Sequence, residues 1–153
     1  MPDFDYARFI DVAENLIADM QGEDEGNVRT ACGRAYYGVY GKLKSRMVSL
    51  WDVFGSNSYH RPLSQICTED LKRYAHIRKL GRKLERLFEY RRDADYSPAK
   101  TMEKTDAESA IDLAKGAVVA VGNLSADDLT RMNTELERHV AAIEAKSKKR
   151  DFT

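Results

Sequence analysis

The sequence predicts an all-α protein, an up-and-down bundle of about five main helices. Apolar residues recur at i, i+3 and i+4 in five separate stretches, the signature of a helix with one face turned to a core. No stretch of any length alternates polar and apolar residues as a half-buried strand would. Glycine, proline and capping residues stand where each stretch ends.

The first stripe is Tyr6, Phe9, Ile10, Ala13, Leu16, Ile17 and Met20, and it stops before Gly22. Asn27 is the expected N-cap of the second helix. That helix carries Val28, Ala31, Cys32, Ala35, Tyr36, Val39, Leu43 and Met47 and is expected to reach about Leu50. Gly33, Gly38 and Gly41 interrupt it. A glycine costs up to about 1 kcal/mol at an interior helix position, so three of them predict close approach by another helix or a ligand. Residues 52–58 read as a loop, with Trp51 an anchor beneath it, and Pro62 as the start of a short helix through Leu63, Ile66 and Cys67. A basic helix is expected from about Glu69 to Arg92, stopped firmly by Ser97-Pro98. Thr105 with Glu108 predicts a capping box opening a helix with Ala107, Ile111, Ala114, Val118 and Val121 inward, as far as Gly122-Asn123. Ser125 with Asp128 predicts the same device for the last helix, whose stripe is Leu129, Met132, Leu136, Val140 and Ile143. Residues 1–145 form one expected domain, and 146–153 a basic, frayed tail.

The totals narrow the function classes. A chain of 153 residues can bury a core of its own, and 33% charged residues suit a protein with much exposed helix. No apolar run approaches the roughly 18 residues of a membrane span, and Met1-Pro2-Asp3-Phe4-Asp5 lacks the basic and apolar segments of a secretory signal. Cytoplasm is therefore the expected compartment, with Cys32 and Cys67 reduced and packed. Net charge is zero but unevenly spread. Residues 1–25 hold eight acids against Arg8, and residues 71–92 hold nine bases against Glu85 and Glu89. Such asymmetry points to an anionic partner for the basic helix, or to the acidic helix packing beside it.

Common catalytic signatures are absent. His60, His76 and His139 show neither HxxxH nor HExxH spacing, and no phosphate loop, dinucleotide loop or nucleophile elbow occurs. No metal or cofactor is expected, and a small enzyme acting on metabolites has no supporting motif. Two arginine-bearing segments remain. The stripe Ile77, Leu80, Leu84, Leu87 and Phe88 continues onto Arg91, and a charge in line with an apolar face needs a partner. Arg34 shares a narrow face with Ala31, Gly38 and Gly41. An arginine can grip a phosphate bidentately. It can equally be held by Asp93 or Asp95 in an interhelical salt bridge. Lys79, Arg82, Lys83 and Arg86 line one exposed face suited to RNA or an acidic protein. Tyr36, Tyr37 and Tyr40 read as core or interface aromatics.

The segments Arg34-Ala35-Tyr36-Tyr37-Gly38 and Arg91-Arg92-Asp93-Ala94-Asp95-Tyr96, in that order, resemble the HEPN superfamily over roughly residues 27–123. The similar branch carries R-A-Y-Y and R-x-x-A-D-Y segments, and Tyr59-His60 stands where it often has a histidine. The resemblance implies a helical bundle, often a homodimer, and a metal-independent endoribonuclease that serves as a toxin beside a nucleotidyltransferase-like antitoxin or in defence. The family's catalytic pattern is R-x4-6-H. Arg91 matches the arginine, but Tyr96 stands at the histidine position, and a phenol of pKa about 10 is a poor acid/base near neutrality. The expected catalytic set is therefore Arg91 with Asp95, Tyr96 or His60. The expected RNA contacts are Arg34, Lys79, Arg82, Lys83, Arg86 and Arg92. The alternative is a non-catalytic HEPN-like binding or adaptor protein.

Overall fold

The structure, a computed structural model, describes residues 4–47 and 60–151. The described residues form six helices: α1 (Arg8–Ala18), α2 (Glu25–Arg46), α3 (His60–Gln65), α4 (Ala75–Tyr96), α5 (Lys104–Gly122) and α6 (Ala126–Asp151). A π-helical turn, Ile66–Asp70, continues α3. The all-α bundle expected from periodicity is what forms, and the described residues contain no strand.

Helix α2 is the centre. It packs against α1, α4 and α5, and a helix with neighbours on several sides buries residues around much of its circumference. Val28, Ala31, Cys32, Ala35, Tyr36, Val39, Tyr40 and Leu43 are all buried. Helix α1 runs antiparallel to α2, with Leu16 near Asn27 and Asp5 near Lys42. Gly38 and Gly41 provide the close approach that the sequence predicts. A Cβ on Gly38 would sit 2.9 Å from Ile10 Cγ1, and one on Gly41 would overlap the Tyr6 ring. Gly33 does not share this role, because nothing lies within 4 Å of a Cβ there. Helix α5 runs parallel to α2, with Glu25 reaching Met102 at one end and Arg46 reaching Val121 and Gly122 at the other.

Several boundaries differ from the sequence expectation. The N-cap of α2 is Asp24, whose carboxylate accepts from the Asn27 N–H at 3.2 Å. The Asn27 side chain instead donates to the Leu16 carbonyl of α1 at 3.3 Å. The box that opens α5 is formed by Glu103 and Asp106, not Thr105 and Glu108. Glu25 and Glu23 accept from the N–H groups of Met102 and Lys104, fixing the chain there before Thr105 is reached. The expected helix from Glu69 is broken by the π turn, and α4 starts only at Ala75. Gly81 lets that turn sit on α4, since a Cβ there would lie 2.5 Å from Cys67 Cβ. The Ser125–Asp128 box is present as expected. The basic segment continues α6 to Asp151, where Lys148, Lys149 and Arg150 in the last turn complement the helix dipole. Trp51, Tyr59 and the expected loop at 52–58 lie outside the described residues, as does the expected end of α2 at Leu50.

The acidic first helix packs mainly on α2 and α5 rather than on the basic helix. Its described ion pairs are Asp5 of the preceding turn to Lys42 of α2, and Glu14 to Lys115 of α5. Cys32 and Cys67 are free and buried, and burial pushes both thiols up to about 12.

Candidate functional site

The end of α4 and the first half of α2 enclose a groove of about 420 Å³ lined by Arg29, Thr30, Gly33, Arg34, Tyr37, Ala94 and Asp95. A shallower depression of about 500 Å³ shares Arg29, Ala94 and Asp95 and adds Glu25, Tyr96 and Pro98. The first lies where the sequence placed its two arginine-bearing segments.

Arg91 is 8% exposed, as its position in the apolar stripe predicts. Its guanidinium lies 5.8, 5.7 and 5.3 Å from the ring centres of Tyr36, Tyr37 and Tyr96. Nη2 donates to the Tyr37 hydroxyl at 3.0 Å. Nε is 3.0 Å from Asp95 Oδ2, but its N–H is misaligned, so the pair is ionic without being a hydrogen bond. Burial opposes the charge of Arg91, yet Tyr37, Asp95 and Tyr96 outweigh it and hold the pKa above its ordinary value. Arg91 thus keeps its charge in a low-dielectric wall, held by aromatic faces on several sides. Tyr96 is 63% exposed and presents its ring at the rim. Tyr36 and Tyr40 are core residues, as expected, with ring centres 4.5 Å apart; burial raises both phenols. Tyr37 is not: it is partly exposed and lines the groove.

Arg34 is exposed and stacks over Phe9 of α1 at 5.2 Å. Neither Asp93 nor Asp95 holds it. Asp93 pairs instead with Lys100 at 2.7 Å, and Asp95 with Arg91 four residues earlier on the same helix. The interhelical pin is a residue that the sequence reading passed over, Arg29. Its Nη1 donates to the carbonyls of Asp93 and Ala94 at 2.9 and 3.0 Å. Its Nη2 donates to those of Ser97 and Lys100 at 3.2 and 2.5 Å. Both Nε and Nη2 also reach Glu25 Oε1. One guanidinium therefore gathers carbonyls at and just beyond the end of α4, two of which (Asp93 and Ser97) also accept backbone N–H groups, and complements the helix dipole. The available signal was its spacing: Arg29 lies four residues after Glu25, so a salt-bridged pair was legible, but its target across the bundle was not.

The other expected RNA-contact residues lie elsewhere. At 100° per residue, Lys79, Arg82, Lys83 and Arg86 cluster about a third of a turn away from Arg91 around α4. The Lys83 ammonium lies over Gly116 of α5. Arg92 lines a third cavity, of about 290 Å³, with Glu69, Glu85 and Glu89 on the α3 side. The basic stripe and the arginine groove are thus two surfaces rather than one. His76 and His139 pair with Asp128 and Asp70, both at 2.9 Å, and neither lines the groove. His60 begins α3, and its side chain is outside the described residues. The described residues contain no His/Cys/Asp/Glu group suited to a metal ion.

This architecture agrees with a comparison at family level. The family model described as "HEPN domain" matches residues 6–124, more than half of the chain. The chain belongs to the HEPN family. Neither the curated proteins nor the solved structures give a match. The family match spans α1 to α5 and ends before α6. No helix among the described residues is long and apolar enough to cross a membrane.

Proposed function

We propose that this HEPN protein engages RNA at the α2–α4 groove, with Arg34 and Arg91 taking the phosphate. The observation that carries this reading is the state of Arg91. It is buried and charged, its Nε makes no hydrogen bond among the described residues, and it donates to Tyr37, which lines a groove that also holds exposed Arg34. Desolvated, pre-positioned guanidinium donors bind an anion more strongly than surface ones do. The R-A-Y-Y and R-x-x-A-D-Y segments meet at this groove, which fits the similar HEPN branch. In that setting the protein is the toxin-like half of a two-gene or defence module, opposed by a nucleotidyltransferase-like antitoxin, and works as a homodimer. Cleavage, where it occurs, uses Arg91 to stabilise the phosphate, and Asp95, Tyr96 or His60 to move the proton. The basic stripe of Lys79, Arg82, Lys83 and Arg86 then carries flanking RNA or a protein partner rather than the reacting phosphate.

A second reading is favoured by one observation. No described histidine lines the groove, and Arg91 already has a carboxylate and a phenol as neighbours. On that reading the protein binds without cleaving, as an adaptor. End-labelled mixed RNA incubated in EDTA with wild type and Arg91→Gln separates the two. Cleavage by wild type alone supports the nuclease. Binding without cleavage, weakened in Arg91→Gln, supports the adaptor. Equal binding by both proteins refutes the groove as the RNA site.

A further inference from the structure

We infer that Asp95 is a specificity-determining residue that reads the ribose 2′-hydroxyl and so selects RNA over DNA; this rests on the RNA reading of the groove. The argument starts from a mismatch of charge. A groove built only for phosphate would present donors alone. This one is lined by Arg29, Arg34 and Tyr37, whose hydroxyl accepts from the buried Arg91, together with the half-exposed carboxylate of Asp95. Asp95 pairs with Arg91 through Oδ2, and among the described residues its carboxylate accepts no hydrogen bond. Its side chain is 41% exposed and lines the groove, so the carboxylate has acceptor capacity to offer a ligand there.

A carboxylate that close to a bound phosphate repels it unless the ligand brings a donor to the same place. A ribonucleotide does so: its 2′-hydroxyl neighbours the 3′-phosphate and can donate to this carboxylate while the phosphate takes the guanidinium groups. Deoxyribose keeps the repulsion and loses the hydrogen bond. The Cβ-free surface of Gly33 leaves open space on the opposite wall for the sugar to approach. Gly33 therefore serves the groove, not helix packing.

The test is fluorescence anisotropy at one low salt concentration, with labelled single strands of one sequence as RNA, DNA and 2′-fluoro RNA. The 2′-fluoro strand keeps the sugar pucker and removes the donor. One hydrogen bond to a charged acceptor predicts that wild type prefers RNA to both other strands by about tenfold or more. Asp95→Ala should bring the three affinities together. Asp95→Asn, which keeps the shape and a neutral acceptor, should fall between. A preference for RNA that survives Asp95→Ala overturns the assignment and leaves the RNA reading standing. So does 2′-fluoro RNA binding as well as RNA, since shape is then what is read. A purely structural Asp95, acting only as counter-ion to Arg91, would change all three affinities by one factor and leave their ratios intact, which also overturns it. Wild type binding none of the strands refutes the RNA reading and this inference together.

Discussion

Replacing Arg29 by alanine should be among the most costly single changes at the surface of this bundle. Arg29 is 19% exposed in its side chain and donates to four carbonyls, those of Asp93, Ala94, Ser97 and Lys100. Hydrogen bonds from a charged donor contribute about 1.5–3 kcal/mol each when isolated. These four share one guanidinium, and the carbonyls can turn to water when it leaves, so the sum is far from additive. Complementing the α4 dipole adds about 0.3–1 kcal/mol. The expected loss for Arg29→Ala is therefore about 2–4 kcal/mol, read from the urea midpoint at unchanged m. Arg29→Lys should recover less than half of it, because one ammonium cannot span carbonyls on both sides of Ser97. Arg46→Ala gives an internal scale. Arg46 caps α5 through two carbonyls, Val121 and Gly122, and should lose roughly half as much as Arg29→Ala. A loss below about 0.5 kcal/mol for Arg29→Ala would refute the view that this clamp fixes the last turn of α4.

Gly81→Ala should destabilise the protein by about 1–3 kcal/mol, because the new Cβ meets Cys67 and Thr68 of the π turn; an unchanged melting temperature would show that the turn can move aside. Gly33→Ala should do the opposite, gaining about 0.5–1 kcal/mol in the same melt, since nothing crowds the site. Gly33→Leu should melt like wild type yet lose RNA binding by filling the groove, and retained binding would move the site elsewhere. Acid should loosen the clamp. The Met102 N–H, and then Arg29, hold Glu25 below its ordinary 4.5, and Lys100 holds Asp93 below 3.8. A depressed carboxyl stabilises above its unfolded pKa and loses that contribution as pH falls through the folded value. Melting temperature should therefore be level from pH 7 to about 5 and fall below the ordinary carboxyl range, less steeply in Glu25→Gln. An identical slope in Glu25→Gln would remove Glu25 from the account.

The fold was legible because a helix writes its buried face into sequence at a fixed period. The stripe through Leu80, Leu84 and Leu87 pointed to a buried Arg91, and the structure has it so. The Ser125–Asp128 box was legible for the same local reason, since both its bonds span three residues. Boundaries set by distant partners were not. Asn27 lost its capping role to Asp24 because Leu16 of another helix offered its side chain a carbonyl. Thr105 lost its role because Glu23 and Glu25, some eighty residues earlier, fixed the chain ahead of it. The π turn went unseen because it breaks the 3.6 period without a glycine or proline to mark the break.

The candidate site divides in the same way. The sequence by itself determined the helices, the burial of Arg91, the nearness of Asp95 and Tyr96 to it, and membership of a family recognised by two short segments. Each depends on residues within one helix, where spacing dictates neighbours. Only the tertiary structure decided that Tyr37 of α2 meets Arg91 of α4, and that Arg29 rather than Arg34 ties those helices together. Periodicity already sets the basic stripe about a third of a turn from Arg91, but the tertiary structure decided which side of α4 meets α2, because that depends on packing among several helices. No periodicity along one chain segment records that choice.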